Sequence, residues 1–152
     1  MYRIRDWLYI GKYRDTIALT LLRTQRINAM LQLAEYVLQP NISTLFLNVE
    51  DGAPLSVEQL MRGMAFVRAQ KAQGNTLLIA CGAGLSRSVA FTMAALHEEE
   101  HLSLMEAYQA IVRAHPEAMP HPKLLETLRK YYNDPITFKD LWREMRQMQR
   151  GA

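Results

Sequence analysis

The sequence has a single cysteine, Cys81, among its 152 residues, so the chain cannot form an internal disulfide bond. It also lacks any apolar run near the ~20 residues that a membrane-spanning helix needs. No apolar stretch of the signal-peptide kind follows Met1. We therefore expect no membrane partner and a cytoplasmic location. The lone cysteine is either a small buried apolar side chain or a reactive thiol.

The chain also has little excess charge, with a formal net charge of +3. This excess favours anionic substrates at long range, but without a clustered basic face it does not indicate a nucleic-acid partner. Hydrophobic residues make up 49% of the chain and charged residues 22%, which is typical of globular proteins. The length fits one domain, so we treat residues 1–152 as a single domain in which residues 133–152 form a C-terminal helical extension.

The pattern of apolar residues predicts strands mixed with helices. Strands are expected over residues 3–10, 27–33, 44–49 and 76–80. Helices are expected over residues 14–24, 56–74, from 87, 103–115, 120–132 and from 134. In the helix that starts at Ser56, the residues expected to face the core are Val57, Leu60, Met61 and Met64. The order of these elements predicts an α/β fold with a central twisted mixed sheet flanked by helices.

The run Cys81-Gly82-Ala83-Gly84-Leu85-Ser86-Arg87-Ser88, called here the 81–88 loop, follows the wholly apolar fourth strand and leads into a helix. Gly82 and Gly84 permit positive φ, so successive backbone N–H groups can turn inward as an anion-binding nest. The N-terminus of the following helix adds its partial positive charge at the same point. Arg87 is placed to hold two phosphate oxygens with its planar fork. We therefore expect a phosphate site at residues 82–87, formed by Gly82, Ala83, Gly84, Leu85, Ser86 and Arg87.

Cys81 is the candidate nucleophile of this site. The positive field of the loop favours its thiolate, which would attack phosphorus before water releases the phosphate. Ser88 is expected to stabilise the sulfur as it leaves in the second step. An inert cysteine beside an ordinary strand-to-helix turn is the alternative, which the added glycines, serines and arginine disfavour.

The 81–88 loop resembles the phosphate-binding loop of dual-specificity protein phosphatases, in the cysteine-based protein-tyrosine-phosphatase superfamily. Residues 8–11, 27–33 and 45–49 resemble the first strands of that family, and Pro120 resembles its proline near the last core helix. The resemblance covers about residues 2–132 and implies a catalytic domain with a phosphotyrosine protein phosphatase-like fold. It implies hydrolysis of phosphotyrosine, phosphoserine or phosphothreonine through a phosphocysteine intermediate, with no metal or other cofactor.

Asp51 is the candidate general acid. It opens the turn Asp51-Gly52-Ala53-Pro54 after a predicted strand, and the general acid of the family lies in the matching loop. A positioned acid that protonates the leaving oxygen contributes ~10²–10⁴-fold to the rate. The alternative is a surface Asp-Gly turn. Glu50 is the second candidate, although strand alternation points it the other way from Asp51.

Two positions depart from the family pattern. Ala80 stands where the family usually has a histidine before the nucleophile, and His121 stands where it often has an asparagine after the late proline. Both family residues order the loop, and we expect His121 to replace the asparagine in part. A catalytically weak phosphate-binding module, or pseudophosphatase, therefore stays open as an alternative function. His115 and His121 are otherwise expected to be structural or surface residues.

The run His97-Glu98-Glu99-Glu100-His101 matches the zinc-protease pattern H-E-x-x-H, which places two imidazoles one helical turn apart. Its glutamates at the variable positions and its place at a predicted helix end are typical of a solvated acidic helix terminus. A zinc-binding protein that uses His97 and His101 is therefore the less favoured alternative.

The variable positions of the 81–88 loop contain no lysine. Phosphoinositide phosphatases of the superfamily tend to place extra basic residues there, so this neutral loop predicts a substrate with a single phosphate. The short stretch before Leu45 leaves no room for the long loop that deepens a tyrosine-only pocket. We expect a shallow site for a phosphorylated protein or a small phosphomonoester. The sequence does not indicate an oligomeric state.

Overall fold

The computed structural model describes residues 1–151, which form five strands and seven helices. The strands are β1 (Tyr2–Arg5), β2 (Leu8–Lys12), β3 (Ala29–Gln32), β4 (Ser43–Phe46) and β5 (Leu77–Cys81). The helices are α1 (Tyr13–Thr16), α2 (Leu19–Thr24), α3 (Val57–Ala72), α4 (Arg87–Glu100), α5 (Leu104–Ala114), α6 (Pro122–Tyr131) and α7 (Phe138–Gly151). No helix within residues 1–151 is both long and apolar enough to cross a bilayer.

The five strands form one mixed sheet in the order β1-β2-β5-β3-β4. β1 is antiparallel to β2, and the other neighbouring pairs are parallel. β5 lies in the middle and is buried along its whole length, as its apolar sequence predicted. The predicted α/β fold with a central mixed sheet is confirmed.

The carboxyl ends of the parallel strands β2, β3 and β5 meet at one edge of the sheet. Cys81 ends β5 at this edge and pairs with Lys12 at the end of β2. On the other side, Gln32 ends β3 beside Ala80. Ligands of open α/β sheets bind outside this edge, so the fold places Cys81 where a substrate would arrive.

Apolar cores cover both faces of the sheet. The larger core surrounds α4, in which every residue from Ser88 to Leu96 is buried. α3 approaches α4 closely because Gly63 has no side chain, since a Cβ there would lie 2.7 Å from the ring of Phe91. The smaller core, on the other face, includes Leu22 of α2 and Ala80 of β5. α4 is therefore fixed from several sides, and so is the loop that leads into it.

The helix starts expected at Ser56 and Ser103 are confirmed. Ser56 Oγ accepts a hydrogen bond from the backbone N–H of Gln59 at 3.2 Å. Ser103 and Glu106 form the complete reciprocal capping box. Gly74 follows α3 with φ of +76°, as expected for a glycine just past a helix end.

Several predicted boundaries were wrong. The single strand predicted over residues 3–10 is two strands that turn back at Asp6 and Trp7. The turn was missed because no glycine, proline or asparagine marks it in the sequence. The helix predicted over residues 14–24 is two short helices. β4 ends at Phe46 and is a half-exposed edge strand rather than a buried one reaching residue 49. α6 and α7 start at Pro122 and Phe138, later than predicted.

The predicted core face of α3 was half right. Leu60 and Met64 are buried, whereas Val57 and Met61 are 45% and 55% exposed. The buried face instead continues through Gly63 and Val67. Helical spacing alone did not distinguish these two adjacent faces.

The C-terminal helix α7 packs on the rest of the molecule. Leu141 and Met145 are fully buried, and the helix contacts α5 and α6. Within the described residues, the apolar side of α7 therefore packs against the rest of this domain.

Candidate active site

Cys81 and Ser88 face each other across the base of the 81–88 loop. Cys81 is 3% exposed at the end of β5, and Ser88 is fully buried in the first turn of α4. Their Sγ and Oγ atoms lie 3.2 Å apart. The buried strand end and the helix start fix both atoms, so the Ser88 hydroxyl can donate a hydrogen bond to a thiolate at this distance.

Three carbonyl groups of the 81–88 loop point outward, where donors from other parts of the chain meet them. The hydrogen bonds join Gly82 O to the N–H of Tyr13 (3.2 Å), Gly84 O to Nε2 of His115 (2.8 Å) and Leu85 O to the N–H of Met119 (2.9 Å). In a trans peptide the C=O and the next N–H point in opposite directions. These bonds therefore turn the N–H groups of residues 83, 85 and 86 inward.

The inward N–H groups are open to a ligand. Within residues 1–151, no backbone N–H of residues 82–86 donates to a protein acceptor. Converging N–H groups of this kind form an anion-binding nest, and a phosphate is the anion that the surrounding residues suit.

Gly84 adopts the positive φ that the sequence predicted, at +72°. A Cβ at this position would also lie 3.0 Å from the carbonyl oxygen of Gly11. Gly82 differs from the prediction, because its φ is not positive. A Cβ there would instead lie 3.2 Å from Nη2 of Arg87, so the absence of a side chain at Gly82 lets the guanidinium group lie close to the backbone.

Ser86 connects the loop to two other segments. It is the N-cap residue of α4, but its side chain does not cap the helix. Its hydroxyl donates to Oδ1 of Asp51 at 2.7 Å and accepts from the backbone N–H of His121 at 2.8 Å. The first N–H groups of α4 are therefore left without this cap, and the positive end of the helix faces the loop.

The guanidinium group of Arg87 lies beside the loop. Its Nη1 donates to the carbonyl oxygen of Val49 at 3.2 Å, and its Nη2 lies against Gly82. Since a guanidinium has five N–H donors, this anchor leaves others for phosphate oxygens.

The structure places Asp51, and not Glu50, at the loop. Asp51 is exposed, and its carboxylate accepts the hydrogen bond from Ser86. Glu50 is exposed as well and makes no hydrogen bond or ion pair within residues 1–151. The location favours Asp51 as the acid, while its role stays a prediction.

His121 braces the loop with its backbone rather than its ring. The ring Nδ1 accepts from the N–H of Lys123 at 3.1 Å and so caps α6. Its Nε2 lies above Gly52, at 3.7 Å from where a Cβ would be. The expectation that the His121 side chain replaces a loop-bracing asparagine is therefore not met, because the contact with Ser86 comes from the backbone N–H.

Sequence reasoning missed His115, whose buried side chain contacts the loop at Gly84. The two residues are 31 positions apart, and no pattern in the sequence links them. Tyr13 and Met119 were also missed, because they act through backbone N–H groups that any residue except proline would supply.

The H-E-x-x-H histidines have other roles. Nδ1 of His97 lies 2.7 Å from the carbonyl oxygen of Leu102, and its ring packs on Tyr132 at 4.2 Å. His101 ends α4 in the left-handed conformation, with φ of +59°. Nowhere in the described part of the chain do three or more acidic, histidine or cysteine side chains converge as metal ligands. The geometry does not favour the zinc alternative.

Comparison with known families gives a match over most of the chain. The family model for the dual specificity phosphatase catalytic domain matches residues 8–134. The chain is 28% identical over 134 residues to MAP kinase phosphatase with leucine-rich repeats protein 2 of Dictyostelium discoideum, covering 86% of this chain and 19% of that protein. It is 27% identical over 134 residues to mouse dual specificity protein phosphatase 19, covering 84% and 60% respectively. The chain thus spans less than two thirds of either relative.

Solved structures of similar fold agree with this match. Human DUSP28 superposes with a TM-score of 0.81 at 26% identity, covering 88% of this chain and 96% of that one. A mouse putative dual specificity phosphatase complexed with zinc tungstate gives a TM-score of 0.81 at 27% identity, covering 87% and 86%.

Proposed function

This chain belongs to the dual-specificity phosphatase family, and we propose that it hydrolyses phosphotyrosine and phosphoserine or phosphothreonine esters through a phosphocysteine intermediate, without a metal ion. The supporting observation is the arrangement at the 81–88 loop. Cys81, Ser88 and Arg87 surround a nest of open N–H groups, and Asp51 is held at its edge by Ser86.

In the first step, the Sγ of Cys81 attacks phosphorus and an S–P bond forms while the ester P–O bond breaks. The leaving oxygen takes a proton from the Asp51 carboxyl group. The inward N–H groups and Arg87 stabilise the charge that spreads over the phosphoryl oxygens in the transition state.

In the second step, water attacks phosphorus and the S–P bond breaks, which releases inorganic phosphate. The Asp51 carboxylate, formed in the first step, accepts the proton of the attacking water. The hydroxyl group of Ser88 donates a hydrogen bond to the thiolate as it leaves, over the 3.2 Å that separates the two atoms, and keeps its proton. The cycle ends with Cys81 and Asp51 in their starting states.

The substrate class follows from the loop's surface. Gly82, Ala83 and Leu85 are exposed and uncharged, so the site suits one phosphate on a protruding side chain. The connection between β3 and β4 spans residues 33–42, and its Ala34 and Glu35 line the small cavity beside Cys81. We infer that a connection of this length does not build the deep pocket that would exclude the shorter phosphoserine or phosphothreonine. Phosphorylated protein is therefore the proposed substrate, with small aryl phosphates as convenient substitutes.

Turnover of an activated aryl phosphate by wild type and Cys81→Ser tests the proposal. We expect turnover by wild type and its loss in Cys81→Ser, because an alcohol is a poor substitute for a thiolate. Undiminished turnover by Cys81→Ser would rule out the cysteine mechanism. Binding of tungstate without turnover by wild type would instead indicate the phosphate-binding module that Ala80 left open.

A further inference from the structure

Three donors from one segment, residues 115–121, meet three consecutive residues of the 81–88 loop. The donors are His115 Nε2 to Gly84 O, Met119 N–H to Leu85 O and His121 N–H to Ser86 Oγ, at 2.8, 2.9 and 2.8 Å. Two of these are backbone groups that persist whatever the side chain. His115 is thus the member of the set whose contribution depends on the identity of the residue.

The hydrogen bond of His115 sets the direction of a peptide group that faces the anion. Gly84 O and the N–H of Leu85 belong to the same trans peptide, so they point in opposite directions. Holding Gly84 O outward therefore holds the Leu85 N–H inward, toward a bound phosphate. Because Gly84 is a glycine at φ of +72°, its peptide would otherwise rotate with little steric resistance.

The surroundings of His115 show that its side chain is fixed. The residue is 1% exposed, and its ring stacks on Tyr2 with centroids 3.8 Å apart and planes within 10°. A carbonyl oxygen accepts hydrogen bonds, so Nε2 carries the proton. Nδ1 is then buried without a hydrogen-bond partner among residues 1–151. Burying an unpaired polar atom costs stability and is uncommon, so a residue that served only to fill the core would be expected to be apolar.

We propose that His115 is a positioning residue that aims the Leu85 N–H at the substrate phosphate by holding the Gly84 carbonyl outward. It touches neither the substrate nor Cys81. This inference deepens the proposed function and rests on it for the identity of the anion.

Tungstate affinity, measured by titration calorimetry on the full chain, tests the proposal. His115→Phe keeps the ring on Tyr2 but removes the donor, and we expect roughly 10- to 100-fold weaker binding, the range for losing a hydrogen bond to a charged group. His115→Gln supplies an N–H near the Nε2 position, and we expect binding within about threefold of wild type. The value of kcat/KM for an aryl phosphate should fall in the same order across the variants.

The matched control is His97→Phe. His97 also contacts a backbone carbonyl oxygen and an aromatic ring, but at the far end of α4. We expect this variant to lose stability while it keeps wild-type tungstate affinity. A loss of affinity in His97→Phe equal to that in His115→Phe would mean that general destabilisation is the cause, and would overturn the proposal.

A second pair covers the case in which His115→Phe does not fold. Gln and Met have similar shapes, so His115→Gln and His115→Met differ mainly in the donor. We expect roughly tenfold tighter tungstate binding by the Gln variant. Equal affinities in this pair would overturn the role of His115. Failure of the proposed function would differ, because no chain would then turn over substrate, while the ranking of tungstate affinities would still decide the role of His115.

Discussion

Ser86 joins three parts of the site through one hydroxyl group. It belongs to the 81–88 loop, donates to Asp51 and accepts from the backbone of His121. Ser86 was predicted as a phosphate-binding residue. The structure adds that its side chain contacts Asp51, the proposed acid.

Removing the Ser86 hydroxyl group should leave the carboxyl group of Asp51 less firmly positioned. In Ser86→Ala, we expect kcat for an alkyl phosphate to fall by roughly tenfold, because one hydrogen bond to a charged group is lost. Ser103→Ala, which removes the cap of α5 away from the site, is the control and should lose about 1 kcal/mol of stability with kcat unchanged. Equal kcat in Ser86→Ala and wild type would show that Asp51 does not depend on this link.

The proposed role of Asp51 as the general acid is tested by comparing substrates with different leaving groups. Asp51→Asn keeps the shape but cannot supply a proton, so turnover of alkyl phosphates should fall by ~10²–10⁴-fold. Activated aryl phosphates, whose leaving oxygen needs less protonation, should be affected much less. Glu50→Gln is the adjacent control and should leave both rates unchanged. Equal losses on both substrates in Asp51→Asn would mean that another group is the acid.

Tyr108 supports residues 115–121, the segment that braces the loop. Ionisation of its hydroxyl group should lower the free energy of unfolding at alkaline pH. Its buried hydroxyl donates to the carbonyl oxygen of Ala118, and burial raises its pKa to about 12. An unfolded tyrosine ionises near pH ~10. The contribution of the neutral Tyr108 hydroxyl to the free energy of unfolding is therefore complete below about pH 10 and is lost as the pH rises toward about 12.

We expect the free energy of unfolding, measured in urea, to fall with pH above about 10, and to fall less steeply in Tyr108→Phe. Burial and the hydrogen bond to Glu98 also raise the pKa of Tyr132, so part of the slope should remain. Tyr36→Phe, at a residue 58% exposed, is the control and should follow wild type. Identical slopes in wild type and Tyr108→Phe would contradict this account.

At the scale of elements, the site is a strand end, a loop and a helix start. β5 fixes Cys81, α4 fixes Ser88, and Gly84 lets the chain turn between them. This part was predictable, because a wholly apolar run followed by glycines and a helix pattern has few alternative structures. Prediction failed for the hairpin of β1 and β2 and for the half-exposed β4, where burial depends on neighbours distant in sequence.

Gly84→Ala tests the loop as an element. An alanine is strained at the positive φ of this position, and its Cβ would crowd the carbonyl oxygen of Gly11. We therefore expect tungstate to bind roughly tenfold more weakly, or worse. Gly74→Ala is a close match, since Gly74 has φ of +76° but nothing within 4 Å of a Cβ. It should lose about 1 kcal/mol of stability and no affinity. Unchanged affinity in Gly84→Ala would show that the loop tolerates another conformation.

At the scale of the whole molecule, the sheet edge and the helices bring Asp51, residues 81–88 and residues 115–121 together. The sequence predicted the first two through local patterns and the family resemblance. The third could not be predicted, because His115 meets Gly84 only through the packing of α5 and β1. Its stacking partner, Tyr2, comes from a strand whose separate existence was also missed.

The C-terminal helix α7 should contribute stability rather than catalysis. Leu141 is fully buried in the core, so Leu141→Ala should lower the free energy of unfolding by ~2–5 kcal/mol. Gln147→Ala, at an exposed position of the same helix, should change it by less than about 0.5 kcal/mol. Turnover per folded molecule should stay at the wild-type value in both variants. A selective loss of turnover in Leu141→Ala would instead couple α7 to the site.

The central claim is that phosphate passes through the sulfur of Cys81. Acid quenching during turnover of an aryl phosphate, followed by mass spectrometry of the peptides, tests it most directly. We predict a phosphoryl group on the peptide that contains Cys81, and its absence in Cys81→Ala. Continued turnover with no phosphoryl group on Cys81, or with one on another residue, would contradict the account.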